Sequence, residues 1–523
     1  MNSRRNFFHA ALGAGSLAAM AHSGLAQSPG ENRGIYDVRA FGALGDGKTI
    51  DTPAINRAIE AAASAGGGTV RFPPGTYASY SIHLKSNVTL YLETGATILA
   101  APDRSQGGPG EYDAAEPNQP WEDYQDFGHN HWHNSLIWGE DLDNVAILGP
   151  GLIWGKGLSK GYGPGPKAEQ PGVGNKAIAL KKCKNVLLRD FSILHGGHFG
   201  ILATGVNNLT IDNLKIDTNR DGMDIDCCTN VRVSNCSVNS PWDDGICLKS
   251  SYALGAPVST DMVTITNCLV SGSFEEGTLL DGSYKRYSPE TRIPRTGRIK
   301  FGTESNGGFR NITISNCVFD GCQGLALETV DGALLEDVAI SNITMRDITS
   351  APLFLRLGRR MRGPAGRQIG VLRRVRISGI VCSNSASRIA SVISGIPAHP
   401  IEDIKIDNLY IQTRGGGSPQ NEPPEQETAY PEPGRFYPMP ASGFYIRHVK
   451  NIEMSNIELA YITPDERPPF FLTDVEGADF FRLKVPHVNH VPVFTLNNVT
   501  NFSVARSNPI PDTELERADH RNL

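Results

Sequence analysis

Beyond Ala26 the sequence has no apolar run long enough to cross a bilayer, which takes about 20 consecutive residues. It also has no long basic run, and its formal net charge is −6. A mildly acidic chain without a basic stripe is a poor nucleic-acid binder. Helical periodicity is nearly absent after the first hundred residues, so a helical bundle is excluded. The nine cysteines lack the pattern of a disulfide framework. Cys236, Cys268 and Cys317 each follow an Asn in one recurring phrase, and equivalent positions in successive repeats stack rather than crosslink. Most of the nine are expected as small buried residues. The pairs Cys227–Cys228 and Cys317–Cys322 are left open.

What is present begins with a leader. Ser3-Arg4-Arg5-Asn6-Phe7-Phe8 precedes an apolar Ala/Gly-rich run from Ala10 to Ala21, and Gly24-Leu25-Ala26 offers small residues before Gln27. Residues 1–26 read as a twin-arginine signal peptide, with a soluble product in a periplasm or outside the cell. The folded domain is expected over 34–507. One helix opens it: Asp51 is the expected N-cap, Pro53 lies in the first turn, and Ile55, Ala58, Ile59 and Ala62 share an apolar face. Ala65-Gly66-Gly67-Gly68 ends it. A single helix ahead of almost nothing but strands predicts an end cap.

After the helix a phrase recurs, an Asn followed by alternating apolar residues. Copies begin at Asn87, Asn144, Asn185, Asn208, Asn230, Met262, Asn311, Asp337, Asp403, Asn451 and Asn501. The period of about 22–26 residues is in the range of solenoids. Short alternating runs split by Gly, Asn and Ser predict an all-β parallel β-helix, with strands stacked about 4.8 Å apart. The Asn positions suit left-handed turns and side-chain ladders. Insertions at 102–134, 155–176, 273–296, 358–367 and 413–442 break the rhythm, and such insertions grow from coil corners beside binding faces.

The repeat fixes an alignment. Gly200-Ile201-Leu202-Ala203, Gly222-Met223-Asp224-Ile225, Gly245-Ile246-Cys247-Leu248, Arg298-Ile299-Lys300-Phe301 and Gly324-Leu325-Ala326-Leu327 fall into one column. Met223, Ile246, Ile299 and Leu325 then point inward, as do Ile225, Leu248, Phe301 and Leu327. The same alignment sets Asp244 beside Asp221, with Asp243 one residue back. Three carboxylates therefore converge on one exposed patch, where repulsion should raise the pKa of one. Glycoside hydrolysis needs such a set, an acid for the leaving oxygen and a carboxylate for water or the anomeric carbon. Two other readings of the same residues are Asp-Gly turn chemistry and a hard-cation site. Asp226, Lys249 and Glu328 form an outward column expected to be a surface charge ladder.

Asn219-x-Asp221, Asp243-Asp244 at one-coil spacing, and the Asn-ladder coils together resemble glycoside hydrolase family 28, the polygalacturonases and their relatives. The similarity runs from about Gly34 to the last coils. It implies a right-handed, single-stranded parallel β-helix and inverting hydrolysis with no cofactor and no metal. By that resemblance Asp243 is the general acid, and Asp221 with Asp244 holds and activates the water. Two departures stand out. The family's Gly-His-Gly coil here has Gly297 at the His position. Its Arg-Ile-Lys coil here has Ala326 and Glu328 at the two cations, while Arg298-Ile299-Lys300 lies one coil earlier.

Losing that clamp argues against a galacturonate in the leaving-group subsite and favours rhamnogalacturonan or another decorated pectin. Candidate substrate contacts are His198, Asp224, Arg298, Lys300, Glu304 and Glu328; for the two glutamates the alternative is a solvated rim. His129-Asn130-His131-Trp132-His133 has metal-ligand-like spacing but reads as a polar sugar-binding wall rather than a metal site. Trp132, Trp242, Tyr284 and Tyr287 are candidate stacking residues, with packing as the default. Arg359-Arg360-Met361-Arg362 reads as a solvated basic loop or a polyanion-steering one. The expected protein is a monomeric, exported hydrolase acting on pectic polysaccharide, with neither nucleic acid nor membrane as partner. A lyase or a non-catalytic glycan-binding β-helix on the same scaffold are the alternatives.

Overall fold

The computed structural model describes residues 34–523 except 126, 162–168, 219, 276–277, 284 and 289. The twin-arginine segment, Asn219 and Tyr284 therefore lie outside the described residues. Ile35–Leu523 forms one unit. It is a parallel β-helix, and its coils are built as the repeat predicts.

One coil shows the construction. Strand β1 (Phe199–Thr204) runs into Asn207–Asp212 and then Lys215–Asp217; the next coil repeats this with β2 (Asp221–Asp226), Thr229–Ser234 and Ser237–Asn239. Each strand pairs in parallel with its equivalent one coil on. A corner that turns so sharply needs a left-handed residue, and Asn tolerates that conformation better than most. The first residue of every copy of the phrase has positive φ, from Asn87 (63°) through Met262 (56°) to Asn501 (52°). The side chains also bond between coils: Asn144 Nδ2 donates to Asn87 Oδ1 (2.8 Å), Asn185 to Asn144 (3.0 Å) and Asn208 to Asn185 (2.9 Å).

Strands β3 (Ile246–Ser250), β4 (Ile299–Ser305), β5 (Leu325–Thr329) and β6 (Leu353–Leu357) continue the wall begun by β1 and β2. The observed register is the one expected: Ile201 pairs with Met223, Met223 with Ile246, Ile246 with Ile299 and Phe301 with Leu327. All of these side chains are fully buried. Each contributes about 1.5–3 kcal/mol on burial, which holds the register against a one-residue slip. β4 departs from regularity. Leu248 pairs with Phe301 but Ser250 with Ser305, so Lys249 faces a bulge of three residues, Gly302 to Glu304.

Helix α1 (Thr52–Ser64) caps the first coils, with Ile55, Ala58, Ile59 and Ala62 packed inward. Asp51 does not cap it through its side chain. Its carboxylate instead accepts from Leu44 N (2.8 Å) and Gly45 N (3.0 Å), tying down the preceding turn. At the other end, Thr513–Ala518 and Arg521–Asn522 pair antiparallel with Phe494–Ala505 and cover the open sheet edge. All nine cysteines are buried and free.

Candidate active site

The outer face of β1 to β5 is where alternation leaves side chains without a core to enter. Leu202, Asp224, Cys247, Lys300 and Ala326 form one outward column. One step toward the strand starts, Gly222 N donates to Asp244 O (2.9 Å), which sets Asp221 and Asp244 side by side. The turn between the coils is pinned: Gly297 N donates to Asp243 O (2.8 Å) and Ser240 Oγ does so at 3.0 Å. Gly222 is required here, because a Cβ would stand 2.4 Å from Gly245 O. One carboxylate oxygen from each of Asp221, Asp243 and Asp244 lies within 4.8 Å of the other two. The expected convergence is therefore present, but the patch is not exposed. Asp221 and Asp244 are 4% and 3% accessible, and only the Asp243 side chain, at 29%, reaches solvent.

The three acids are held in different states. Burial, then repulsion from Asp243 and Asp224, pushes Asp221 well above the ordinary carboxylate range. Burial and the neighbouring Asp244 raise Asp243 as well, against Arg220, whose Nη2 and Nε reach its Oδ2 at 3.0 and 3.2 Å. Burial works on Asp244 too, but Lys300, Arg298 and Lys249 outweigh it and keep this acid below its usual value. Arg298 Nε donates to Asp244 Oδ1 (2.9 Å), and Lys300 Nζ is 3.4 Å from Oδ2. The site thus holds one firmly ionised carboxylate beside two that retain protons more readily.

Insertions roof this floor. His129, from the insertion at 102–134, places Nε2 3.2 Å from Asp224 Oδ2. Tyr430 and Glu432, from the insertion at 413–442, cover β4: Thr303 Oγ1 donates to the Tyr430 hydroxyl (2.8 Å), and Arg298 Nη2 donates to Glu432 Oε1 (2.9 Å). The roof overturns the expected surface charge ladder. Lys249 is 6% accessible and bonds Glu304 Oε2 at 2.9 Å; Asp226 is wholly buried and accepts from Ser251 N and Oγ. Glu304 and Glu328 are not rim residues either, being 5% and 0% accessible. Burial, with Glu432 and Asp244, pushes Glu328 up to about 7 despite Lys300 and Arg298. The basic loop is also not solvated at Arg360, which pairs with Asp331 and leans over the Tyr430 ring.

Every candidate contact named from the sequence lies in or under this site. His198 stacks on Phe199 (4.0 Å between rings) and sets Nε2 3.9 Å from Asp221 Oδ2. Burial, Arg220 and His129 hold its imidazole neutral. Asp224 is buried between His129 and Lys249. His131 and His133 do not join the floor: His131 bonds Phe127 O and Asn118, and His133 bonds Glu140. Trp132 is core, its Nε1 donating to Thr204 Oγ1 (3.1 Å). Three residues of the site went unpredicted: Arg220, Tyr430 and Glu432; Arg360 reads in the sequence only as part of a basic loop, solvated or polyanion-steering. Only Arg220, adjacent to Asp221, carried a signal in the sequence.

Among the described residues, five buried polar atoms around the floor have no hydrogen-bond partner: His129 Nδ1, Asp224 Oδ1, His198 Nε2, Glu328 Oε1 and Arg360 Nη1. Native proteins satisfy nearly all such atoms, so spare donors and acceptors gathered in one place suit a hydroxyl-rich ligand. The Asp221, Asp243 and Asp244 oxygens have a spacing that a hard cation would accept. Here Arg220, Arg298 and Lys300 already supply the opposing charge. Glu116, His133 and Glu140 form a second such group, with Lys181 on Glu140 at 2.8 Å.

Residues 35–111 match a family profile described as rhamnogalacturonase A/epimerase, pectate lyase-like. Residues 170–287 match one described as a right handed beta helix region. A probable polygalacturonase of Vitis vinifera is 24% identical over 398 residues, 71% of this chain and 73% of that protein. A solved family 28 exopolygalacturonase of Yersinia enterocolitica superposes with a TM-score of 0.60 at 18% identity, over 86% of this chain and 78% of that one. A hyperthermoactive exopolygalacturonase of Thermotoga maritima gives 0.57 at 20% identity, over 73% and 87%. These likenesses establish a right-handed parallel β-helix.

Proposed function

We propose that the chain is an exported glycoside hydrolase that cleaves pectic polysaccharide with inversion. The observation that carries this reading is the split state of three converged carboxylates under a roof of spare polar groups. Asp243, the accessible one with a raised pKa, is the general acid for the leaving oxygen. Asp244, kept ionised by Arg298 and Lys300, takes the proton of the attacking water. Asp221 and His198 Nε2 hold that water; their 3.9 Å separation is long for a direct bond and suits a bridging oxygen.

Inversion rests on charge rather than on spacing. The nearest oxygens are within 4.8 Å, closer than the roughly 6.5–9.5 Å usual between carboxyl groups of inverting enzymes. A retaining mechanism needs one carboxylate free to attack carbon. Asp244 has Arg298 on one oxygen and Lys300 on the other, and Asp221 favours its protonated form, so neither is a good nucleophile.

The reading leans toward rhamnogalacturonan or a decorated pectin. Arg298 and Lys300 are engaged by Asp244, Glu328 and Glu432, and Arg220 by Asp243, so the protein's own carboxylates compete with an acidic sugar for them. The rhamnogalacturonase description of the profile over 35–111 supports the same lean.

Incubation with homogalacturonan and rhamnogalacturonan side by side tests the reading. New reducing ends with no gain in ultraviolet absorbance support a hydrolase, whereas an unsaturated product makes it a lyase. Proton NMR of the first-formed anomer reads the stereochemistry. Replacing Arg4 and Arg5 by Lys should hold the precursor in the cytoplasm if export follows the twin-arginine route.

A further inference from the structure

We infer that the enzyme attacks chain ends or short oligosaccharides and not the interior of a polymer; this rests on the hydrolase reading. The outer-face columns run along the coil axis, so a polymer bound across Asp221 and Asp244 would follow them past the neighbouring coils. Both directions are plugged among the described residues.

On the amino-terminal side, Ala179 and Leu202 continue the outward column, and both are completely buried. They pack with Phe199, Trp132 and Ala253 in a closed apolar cluster. His129 stands against Phe199, with ring centroids 4.8 Å apart, and forms the wall facing the acids. Trp121 Nε1 donates to Ala253 O (3.3 Å), joining the insertion at 102–134 to the loop after β3.

On the carboxyl-terminal side the column continues as Ala326, Phe354, Val392 and Tyr445, all fully buried. Phe436 and Met439 of the insertion at 413–442 lie on them. Backbone contacts fix that insertion in place: Arg356 Nη2 donates to Glu425 O and Gln426 O (3.0 Å each), and Arg447 Nη1 donates to Pro423 O (2.8 Å). These are two packed apolar clusters, and clearing either for a polymer would expose core-like surface.

Between the plugs, which take in β1 and β5, lie β2 to β4, two inter-strand steps, or roughly 10 Å. Accessible surface here belongs to Asp243, Arg220 and Trp242 on one side and Tyr430 and Glu432 on the other. A stretch of this length, closed at both ends, admits a scissile linkage and the sugars beside it. Each turnover breaks one terminal glycosidic C–O bond, delivers the acid's proton to the leaving oxygen and adds hydroxide from water to the anomeric carbon.

The test uses the full mature chain on the pectic polymer it cleaves, intact and sonicated, at equal mass concentration. Chain-end attack predicts an initial rate that rises in proportion to the number of ends. It also predicts release of only the smallest products and slow loss of viscosity. Unchanged rate on sonication, with early viscosity collapse and mixed oligosaccharides, would overturn the inference while leaving the hydrolase reading intact. Release of no reducing ends from any pectic polymer overturns both.

Discussion

Arg298 donates its Nε to Asp244 Oδ1 at 2.9 Å across adjacent coils, with both side chains at least 95% buried. Neither charge has bulk water to fall back on, so each depends on the other and on Glu432 and Lys300 around them. Removing one partner of a buried pair typically costs about 3–5 kcal/mol. Arg298→Gln should therefore destabilise the fold by that order in urea unfolding. Asp244 has a depressed pKa, so its contribution is present above the unfolded value and is lost as pH falls through the folded one. The variant should lose stability mainly at neutral pH, and the acid limb of its kcat/KM profile should move up in pH. An unmoved limb would disconnect Arg298 from the proposed base, Asp244.

Asp243→Asn should lower kcat by about 10²–10⁴, the usual contribution of a general acid or base. Its KM and unfolding midpoint should change little, because the side chain is the accessible member of the three. Asp221→Asn should also lose activity yet gain stability. Asp221 is raised by burial, Asp243 and Asp224, so folding is penalised as pH rises through its unfolded pKa and on toward the folded one. The amide removes that penalty. A higher Tm at pH 7 that disappears in acid is the expected signature; a lower Tm at pH 7 would contradict it.

The inward half of this molecule was legible in the sequence. Ile225, Leu248, Phe301 and Leu327 share a column because strand alternation and Asn-led corners leave one workable register, and both are local properties. The same alignment brought Asp221, Asp243 and Asp244 together. The environment of the outer face was not legible. Lys249 and Glu304 read as surface residues because nothing near them says otherwise. They are buried by His129 and Arg360, which arrive from insertions whose paths no periodicity dictates. Tyr430 and Glu432 lie more than a hundred residues from Arg298 and Lys300, inside a Pro-rich segment with no repeat to align.

Glu328 should be visible in the pH profile. Burial, with Glu432 and Asp244, pushes it up to about 7, and it lies between Lys300 and the Thr303 hydroxyl. A raised carboxyl contributes stability below its unfolded pKa and loses it as pH rises toward the folded value. Glu328→Gln should remove an ionisation near neutrality from kcat/KM and flatten the stability curve between about pH 5 and 7. Persistence of that ionisation in the variant would assign it to another group.

Lys249 and Glu304 form a buried pair at 2.9 Å, bordered by Asp224 and Arg360. Lys249→Met alone leaves Glu304 without its closest cation and should cost about 3–5 kcal/mol. Glu304→Gln alone should be costly for the mirrored reason. The double variant should be less damaged than the sum, with a coupling of about 0.5–3 kcal/mol in the double-mutant cycle. Strict additivity would mean the two charges are stabilised separately by their other neighbours.

The thiols make the last prediction. Cys236, Cys268 and Cys317 sit side by side in successive coils, the Cys268 thiol touching both others, and the two pairs left open by sequence, Cys227–Cys228 and Cys317–Cys322, are unbonded. A thiol reacts as its thiolate, and both burial and a raised pKa suppress that form. Burial pushes Cys183 up to about 11 and raises Cys228 and Cys247 further. A protein that folds before export would carry these thiols into an oxidising compartment already shielded. The native enzyme should therefore react slowly with a thiol reagent, show nine reactive thiols once denatured without reductant, and keep its Tm when reductant is added. Fewer than nine in the denatured, unreduced chain would reveal a disulfide that this packing does not contain.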